Sequence, residues 1–316
     1  MSECVKAATR DGYGKGLVDL SARNDKLIVL DADLAAATKT GVFKKACPDR
    51  FFDCGIAESN MMGVAAGLAT CGYTVFASSF AMFAAGRAFE QVRNSIGYPH
   101  LNVKIGATHA GISVGEDGAS HQCCEDIALM RTIPGMTIIN PADEIEAYQA
   151  VFAAAELDGP VYLRFGRLAV PHVFDGKYSI QIGKGVKLTD GSDVTIIATG
   201  LMVNEALIAA EQLKNEGISA LVVNMHTIKP IDREIILNCA RVTGAIVTAE
   251  EHNIIGGLGS AVAEVVGECF PVPVLRVGVE DTFGRSGPAA ELLHLFGLDA
   301  AHIVDMAKRA VALKRQ

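Results

Sequence analysis

The chain has 316 residues, of which half are hydrophobic and a fifth are charged, and its formal net charge is −8. That size and composition predict a soluble globular protein with one large or two ordinary domains. The negative charge argues against a nucleic-acid partner, because phosphate backbones are bound by an excess of Lys and Arg. Small anionic substrates stay possible, since a few local arginines can bind one at any overall charge.

The first residues, MSECVKAATRDGYGKG, are charged and lack the apolar stretch of a secretory signal. Eight cysteines are scattered without a CxxC pair, so neither a disulfide framework nor a structural zinc site is indicated. His121 lies close to the Cys123–Cys124 pair, but free cysteines mostly behave as small buried hydrophobes, and no metal is assigned here. These features predict a reduced, cytoplasmic protein.

In the first part of the chain, short apolar runs alternate with helical patterns. The runs predicted as strands are KLIVLDAD, YTVFASS, NVKIGAT, MTIIN and PVYLRF. This alternation predicts a parallel-sheet α/β architecture, in which ligands bind beyond the carboxyl ends of strands. Arg10 near the start and Arg164 at the end of PVYLRF are candidate anion-binding residues, although residue type alone favours ordinary surface or ion-pair arginines.

Residues 59–86 contain no charged side chain and are numerous enough to span a bilayer. Gly72 and Tyr73 interrupt this stretch, so it is interpreted as a buried helix, a buried strand and a second buried helix. Glu58 opens the first helix, and two interpretations stay open for it. It is either an acid favoured by the helix dipole or a carboxylate in a dry pocket that shares a proton with a ligand nitrogen.

Phe80 and Phe83 follow the strand YTVFASS one helical turn apart. They could form a platform for a flat heterocycle, although spacing alone favours a stripe of core residues. The strand NVKIGAT leads into THAGISVGEDGASHQ, residues 108–122, where His109 and His121 flank two acids on a glycine-rich backbone. These side chains suit hydrogen bonding and proton transfer, so a functional site is predicted; a solvated loop with incidental histidines is the alternative.

A polar, glycine-rich passage interrupts the alternation, which restarts with VTIIATG, ISALVVN, GAIVTAEE and VPVLRVG. We therefore predict two α/β domains, residues 1–172 and 193–316, joined by a linker over residues 173–192. In the second domain Gly257-Leu258-Gly259 lies between a strand and a helix, as in dinucleotide-binding proteins. Val262 stands where a third glycine is expected, so a tight packing turn is the preferred interpretation.

Taken in order, several segments resemble the C-terminal portion of transketolase: PDRFFDCGIAESNM, SSFAMFAAGRAFEQVRNSI, THAGISVGEDGASHQ, IKPID and RSGPAAELLHLFGL. The resemblance implies a pyrimidine-binding domain followed by the transketolase C-terminal domain. It implies that Glu58 binds and activates the aminopyrimidine of thiamine diphosphate, that Phe83 stacks on that ring and that Phe80 lies close by. The "TH" followed by "GEDG" and "HQ" is its most specific part, because related thiamine enzymes vary there.

The resemblance also assigns residues to the substrate. His109 and His121 match histidines that contact substrate oxygens, with His121 also catalytic, and Asp117 matches an acid that binds a sugar hydroxyl. Arg10 and Arg164 match arginines that bind the sugar phosphate. Many relatives place a serine on that phosphate where this chain has Ala37, so the pocket is expected to be looser or to take a different anionic group.

Thiamine enzymes hold the diphosphate through Mg²⁺ with a "GDG" motif and a later Asn, and this sequence contains no "GDG". The resemblance therefore implies a split enzyme whose N-terminal partner subunit supplies the diphosphate and Mg²⁺ site, assembled as a heterotetramer acting on sugar phosphates. The beta subunit of a 2-oxo acid dehydrogenase is the main rival, and the loop at residues 108–122 argues against it. Deoxyxylulose phosphate synthase and a non-catalytic nucleotide-binding module are weaker rivals.

Overall fold

In residues 5–314, the part of the chain that the computed structural model describes, strands and helices alternate along most of the sequence. The strands are β1 (Lys6–Ala8), β2 (Leu27–Asp31), β3 (Phe51–Asp53), β4 (Thr74–Phe80), β5 (Val103–Thr108), β6 (Thr137–Ile139), β7 (Val161–Arg164), β8 (Ala169–Pro171), β9 (Val186–Lys187), β10 (Val194–Ala198), β11 (Ala220–Asn224), β12 (Thr227–Lys229), β13 (Ile246–Asn253) and β14 (Val274–Val279).

The α-helices cover the faces and ends of the sheets. They are α1 (Thr9–Ser21), α2 (Ala35–Thr38), α3 (Thr40–Ala46), α4 (Glu58–Thr70), α5 (Phe89–Gln91), α6 (Asp126–Arg131), α7 (Glu144–Glu156), α8 (Met202–Asn215), α9 (Arg233–Thr243), α10 (Leu258–Cys269), α11 (Ala289–Leu295) and α12 (Ala300–Leu313). Two π-helical segments, Met82–Arg87 and Val92–Gly97, and two 3₁₀ segments, Pro48–Arg50 and Ile112–Asp117, complete the helical structure.

Two larger sheets organise these elements. A seven-stranded sheet has the order β12-β6-β7-β5-β4-β2-β3, and a five-stranded sheet has the order β14-β13-β10-β11-β9. Every pairing in them is parallel except that of β12 with β6 and that of β9 with β11. Strands β2, β4 and β5 are buried along their whole length, as expected for parallel strands covered by helices on both faces. The predicted α/β fold class is confirmed.

The uncharged stretch over residues 59–86 folds as predicted, into helix α4, strand β4 and the first π-helical segment. None of the helices described in residues 5–314 is long and apolar enough to cross a membrane. The apolar composition of this stretch instead reflects its place in the core, where Met61, Ala65, Val75 and Ala84 are fully buried.

One strand of the predicted second domain pairs with the sheet of the first domain. Thr227–Lys229, β12, follows a strand of the five-stranded sheet in the chain but pairs antiparallel with β6 at the edge of the seven-stranded sheet. The Lys229 ammonium group donates to the carbonyls of Arg131 and Ile133, which anchors the strand on the first domain. The pairing covers an edge that would otherwise leave backbone groups of β6 without partners.

Candidate active site

The carboxylate of Glu58 is buried at the first turn of α4, where the residue is 1% exposed. Its Oε2 accepts a hydrogen bond from Nη1 of Arg87 at 2.8 Å. The Arg87 side chain is half exposed, so the pair joins a buried anion to a cation at the surface. A carboxylate also interacts favourably with the positive end of the α4 helix dipole.

Two phenylalanine rings lie beside this ion pair. Phe80 ends strand β4, and Phe83 lies in the π-helical segment that follows, with the two ring centroids 5.9 Å apart. The Arg87 guanidinium lies over the Phe83 ring, 4.6 Å from its centroid. The segment is π-helical from Met82 to Arg87, and single π turns inside helices occur frequently at functional sites.

The two histidines of the polar loop contact these rings. Phe80 pairs in register with Thr108 of β5, so the residues that follow both strands leave the sheet at the same edge. His109 stacks on Phe80 with a centroid separation of 3.8 Å, and His121 meets the edge of Phe83 at 5.3 Å. His109 has a φ of 55°, a left-handed conformation that is uncommon for residues other than glycine and tends to occur at functional sites.

Arg10 connects this group of residues to α1. Its Nη1 donates to the carbonyl oxygen of Ala37 at 2.9 Å and lies 3.1 Å from Nε2 of His109. Burial, together with the charges of Arg10 and Arg167, lowers the pKa of His109 to about 3. The imidazole is therefore neutral near pH 7. Because arginine only donates, Nε2 accepts from Arg10 and Nδ1 carries the proton toward the Thr108 hydroxyl, 2.9 Å away.

A second arginine lies at the same edge of the sheet. Nη1 of Arg167 donates to the carbonyl oxygen of Val114 at 2.7 Å and lies 3.6 Å from Oδ2 of Asp117. Burial lowers the pKa of Arg10 and the charge of Arg167 acts in the same direction, so the two guanidinium groups are electrostatic neighbours. Arg167 also lies 3.7 Å from Oε2 of Glu116, so acidic side chains of the loop share its charge. Partly exposed guanidinium groups of this kind suit an anionic ligand group.

Arg164, the other predicted anion-binding residue, lies elsewhere. Its side chain is 3% exposed, and its Nε donates to Oδ2 of Asp126 at 2.8 Å. Its Nη2 donates to the backbone carbonyls of Cys123 and Glu251. The guanidinium is thus enclosed in a buried network that joins the two domains, whereas the partly exposed Arg167 lies beside Asp117.

The structure therefore brings most of the predicted residues into one continuous strip. The strip contains Glu58, Phe83, Phe80, His121, His109, Asp117 and Arg10, with Arg87 joining Glu58 to Phe83 and Arg167 lying beside Asp117. Sequence reasoning missed Arg87 and Arg167. For Arg87 the signal was present, since it is the first charge after a long uncharged stretch; for Arg167 it was a second basic residue three positions after Arg164.

The Gly257-Leu258-Gly259 turn of the second domain is occupied by a side chain of this chain. The backbone N–H groups of Leu258 and Gly259 donate to the Glu250 carboxylate at 2.7 and 2.8 Å. A phosphate bound at this helix N-terminus would need those same groups. The contact supports the packing-turn interpretation over dinucleotide binding.

Comparison with known families agrees with this geometry. The family model for the transketolase pyrimidine-binding domain matches residues 5–172, and that for the transketolase C-terminal domain matches residues 183–303. The chain belongs to the transketolase family. This confirms the resemblance found in the sequence, and it assigns the strip to the pyrimidine-binding part of the family fold.

Individual relatives of this transketolase-family chain are similar over nearly its whole length. The "putative transketolase C-terminal section" of Methanocaldococcus jannaschii is 54% identical over 95% of each chain. A 6-deoxy-6-sulfo-D-fructose transketolase subunit of a Clostridium species is 45% identical over 96% of this chain and 95% of its own. A solved structure described as "Split gene transketolase, inactive beta4 tetramer" is 57% identical, has a TM-score of 0.92, and is matched over 98% of this chain and 99% of that one.

Proposed function

We propose that this chain is the C-terminal subunit of a two-chain, thiamine-diphosphate-dependent transketolase that transfers a two-carbon ketol unit between anionic sugars. The observation that carries the proposal is the strip itself. A buried carboxylate and an aromatic face lie at one end, and two histidines and two arginines continue from them along the edge of one sheet. The carboxylate and the aromatic face suit an aminopyrimidine. The histidines and arginines suit a sugar with an anionic end.

The contacts of Arg87 indicate that the site formed by Glu58 and Phe83 fits an aminopyrimidine. Its guanidinium is a flat cation with nitrogen donors, and it contacts the Glu58 carboxylate and the Phe83 face together. An aminopyrimidine is also flat and presents ring and amino nitrogens, so it fits the same two contacts. Since half of the Arg87 side chain is solvent-exposed, it can move aside without opening the core.

Residues 5–314 do not offer a metal site for the diphosphate. Among residues 5–314, no group of three or more His, Cys, Asp or Glu side chains is placed to hold a metal ion. Mg²⁺ prefers carboxylate, phosphate and water oxygens. The proposal therefore assigns the diphosphate and its metal to an N-terminal partner subunit, with the cofactor between the two chains.

Bound thiamine diphosphate supplies the nucleophilic carbon that takes up and releases the ketol unit. Glu58 shares a hydrogen bond with a ring nitrogen of the pyrimidine and keeps the ring in its reactive tautomer. Phe83 stacks on that ring, and Phe80 supports the neighbouring His109. His121 is partly exposed beside the edge of the Phe83 ring, where it can donate to or accept from a substrate oxygen as the proton moves.

The sugar is oriented from its hydroxyl groups and its charged end. Asp117 and the two histidines offer partners for hydroxyl and carbonyl oxygens, while Arg10 and Arg167 offer a pair of guanidinium groups for the anion. Ala37 contributes only its backbone carbonyl, which accepts from Arg10. The Clostridium relative acts on a sulfo sugar, so a sulfonate is proposed beside phosphate as the anionic group.

The test starts from a tagged copy of the chain expressed in its native cells and purified with thiamine diphosphate and Mg²⁺. The eluate is assayed for ketol transfer from xylulose 5-phosphate to ribose 5-phosphate, and from 6-deoxy-6-sulfofructose to the same acceptor. Transfer that requires a co-purifying second chain supports the proposal. Decarboxylation of a 2-oxo acid instead would favour the dehydrogenase beta subunit, and a partner with neither activity would contradict both.

A further inference from the structure

The loop that carries Asp117 and His121 is held in place by the second domain as well as by Arg167 of the first. The loop, residues 109–122, is called the substrate loop below. Its 3₁₀ segment Ile112–Asp117 lies against strand β13 and against residues 285–287. These contacts come from residues more than 120 positions later in the chain, so they tie the loop to the second domain.

Glu251 on β13 makes the most direct of these contacts. Its side chain is 4% exposed, and its Oε1 accepts a hydrogen bond from the backbone N–H of Ser113 at 2.5 Å. Ser113 lies in the first turn of the 3₁₀ segment, where N–H groups have no partner within the helix. The carboxyl group therefore acts as a cap supplied by a different domain.

A glycine in the loop leaves room for the Glu251 carboxyl group. Gly111 has a φ of 81°, and a Cβ there would lie 2.3 Å from the carboxyl carbon of Glu251. Arg164 donates to the backbone carbonyl of Glu251 at 2.9 Å, which ties the strand that bears the cap to the first domain. The buried arginine thus fixes the distance between Glu251 and the substrate loop.

A second contact holds the other end of the loop. Nε2 of the buried Gln122 donates to the carbonyls of Ile112, Gly115 and Arg285, the last at 2.8 Å. A Cβ on Gly118 would lie 2.4 Å from the hydroxyl of Ser286, so the second domain also closes on the loop here. The segment between Gly111 and Gln122 is therefore clamped at both ends by residues of the second domain.

We propose that Glu251 is a positioning residue: its carboxyl group orders the 3₁₀ segment and so sets where Asp117 and His121 meet the sugar. The inference rests on the proposed function, in which the substrate loop binds the sugar. It gives the second domain a part in substrate recognition, because the cap crosses from one domain to the other. Glu251 itself does not contact the reacting atoms.

The adjacent residue provides a matched control. Glu250 is 1% exposed, lies one position earlier on the same strand and points to the opposite face. Burial raises the pKa of both carboxyl groups to about 7. Glu250 caps α10 within its own domain, so its loss perturbs the second domain without releasing the substrate loop.

The first measurement is amide hydrogen exchange in the full chain, which needs no partner. Glu251→Ala should speed exchange in peptides covering Ile112–Asp117 by about tenfold or more, since a lost hydrogen bond of this kind costs about 1.4 kcal/mol or more. Glu251→Gln keeps an acceptor oxygen and should restore most of the protection. Glu250→Ala should speed exchange at the start of α10 and leave the substrate loop protected.

The second measurement uses the enzyme assembled with its partner subunit. Glu251→Ala should raise KM for the sugar donor about tenfold, leave the affinity for thiamine diphosphate unchanged, and be rescued by Glu251→Gln. Equal changes in Glu251→Ala and Glu250→Ala, or an unchanged exchange rate over Ile112–Asp117, would overturn the inference. Absence of ketol transfer in the wild-type assembly would instead contradict the proposed function, while the exchange experiment would still decide whether Glu251 orders the loop.

Discussion

Glu58 is the residue on which the proposed chemistry depends most directly. Its buried carboxylate has one partner in the described chain, Arg87, and the proposal replaces that partner with a pyrimidine nitrogen. Glu58→Gln preserves the size of the side chain but removes its ability to exchange a proton. We expect it to lower ketol transfer in the assembled enzyme by about 100-fold or more, the usual effect of losing a general acid or base.

The measurement is the steady-state rate together with exchange of the C2 proton of the cofactor, and both should fall in parallel. Glu90→Gln, which removes an exposed carboxylate that bonds only exposed neighbours, is the control and should leave both unchanged. A Glu58→Gln enzyme with normal C2 exchange would contradict the role given to this residue.

Arg164 and Arg167 differ in environment, so their substitution should have different effects. Arg167→Ala removes a partly exposed cation from the strip and should raise KM for an anionic sugar by about 10- to 100-fold, with little change in stability. Arg164→Ala leaves the Asp126 carboxylate buried without its ion-pair partner and should lower the free energy of unfolding by about 3–5 kcal/mol.

Denaturant unfolding and steady-state kinetics separate the two predictions. Arg164→Ala should shift the unfolding midpoint at any substrate concentration, whereas the Arg167→Ala defect should be overcome by more substrate. A neutral sugar without the anionic group should be processed equally by the wild type and by Arg167→Ala. An equal loss with the neutral sugar would show that Arg167 does not bind the anion.

At the scale of elements, helix α1 packs very closely on α7. A Cβ on Gly12 would lie 2.2 Å from the backbone carbonyl oxygen of Glu144, so any side chain must push the helices apart. Gly12→Ala should therefore lower the free energy of unfolding by about 1–3 kcal/mol, the usual cost of overpacking. Gly267 in α10 meets no atom within 4 Å, and Gly267→Ala should raise stability by about 0.5–1 kcal/mol.

Chemical denaturation of the two variants gives both free energies under one set of conditions. Helix propensity alone predicts that both substitutions stabilise, because alanine is favoured over glycine in any helix interior. If Gly12→Ala lowers stability while Gly267→Ala raises it, packing between α1 and α7 outweighs helix propensity at Gly12. If Gly12→Ala raises stability as well, the close approach of α1 and α7 is contradicted.

Glu146 links α7 to the second domain and makes stability depend on pH. Its carboxylate accepts from the Ala142 N–H, the Tyr178 hydroxyl and the Asn224 amide, and Asp143 is the charged group that faces it. Burial raises the pKa of Glu146 from 4.5 to about 7. Between those values the folded chain keeps a proton that the unfolded chain has lost.

The contribution of Glu146 to stability is therefore complete below about pH 4.5 and falls as pH rises toward 7, by about 1.4 kcal/mol per pH unit. Glu146→Gln removes this dependence, and the unpartnered Oδ1 of Asn224 can accept from the new amide after a flip. The wild type minus variant difference in unfolding free energy should therefore decline between pH 5 and 7.5. A flat difference would show that Glu146 is ionised in the folded chain throughout.

At the scale of the whole molecule, the two sheets are coupled through shared elements. Strand β12 of the second part completes the sheet of the first, and the Arg164–Asp126 pair reaches the backbone of Glu251. We expect residues 5–314 to unfold in one cooperative transition, because separating the sheets would expose the β6 edge and leave buried charge without partners.

Amide exchange in increasing guanidinium chloride tests this expectation, and it suits a chain without tryptophan. Peptides from β5 and from β10, each the central strand of one sheet, should lose protection at the same denaturant concentration. The Lys229→Met variant, which removes the two hydrogen bonds that anchor β12, should separate the two transitions. Separate transitions in the wild type would show that the sheets are independent.

The sequence by itself determined the fold class, nine strands of the α/β alternation and the candidate residues of the site, but not the short strands β1, β3, β8, β9 and β12. The reason is local: burial of a parallel strand demands a continuous apolar run, and a functional strand end stands out as the place where polar residues replace it. KLIVLDAD, YTVFASS and NVKIGAT all proved to be strands, and Phe80 and His109 lie at the ends of two of them. The roles of Glu58 and Phe83 were assigned only by the resemblance to transketolase.

The tertiary structure decided which of these residues meet. Arg164 and Arg167 are alike in sequence, but one is committed to Asp126, 38 residues away, and the other faces the strip. The cap on the substrate loop comes from Glu251, 138 residues after Ser113, and β12 crosses to the sheet of the other part. Periodicity in the sequence indicates whether a residue is buried, but it does not indicate which residue it packs against. These pairings depend on distances between side chains, and only the packing of the two sheets sets those distances.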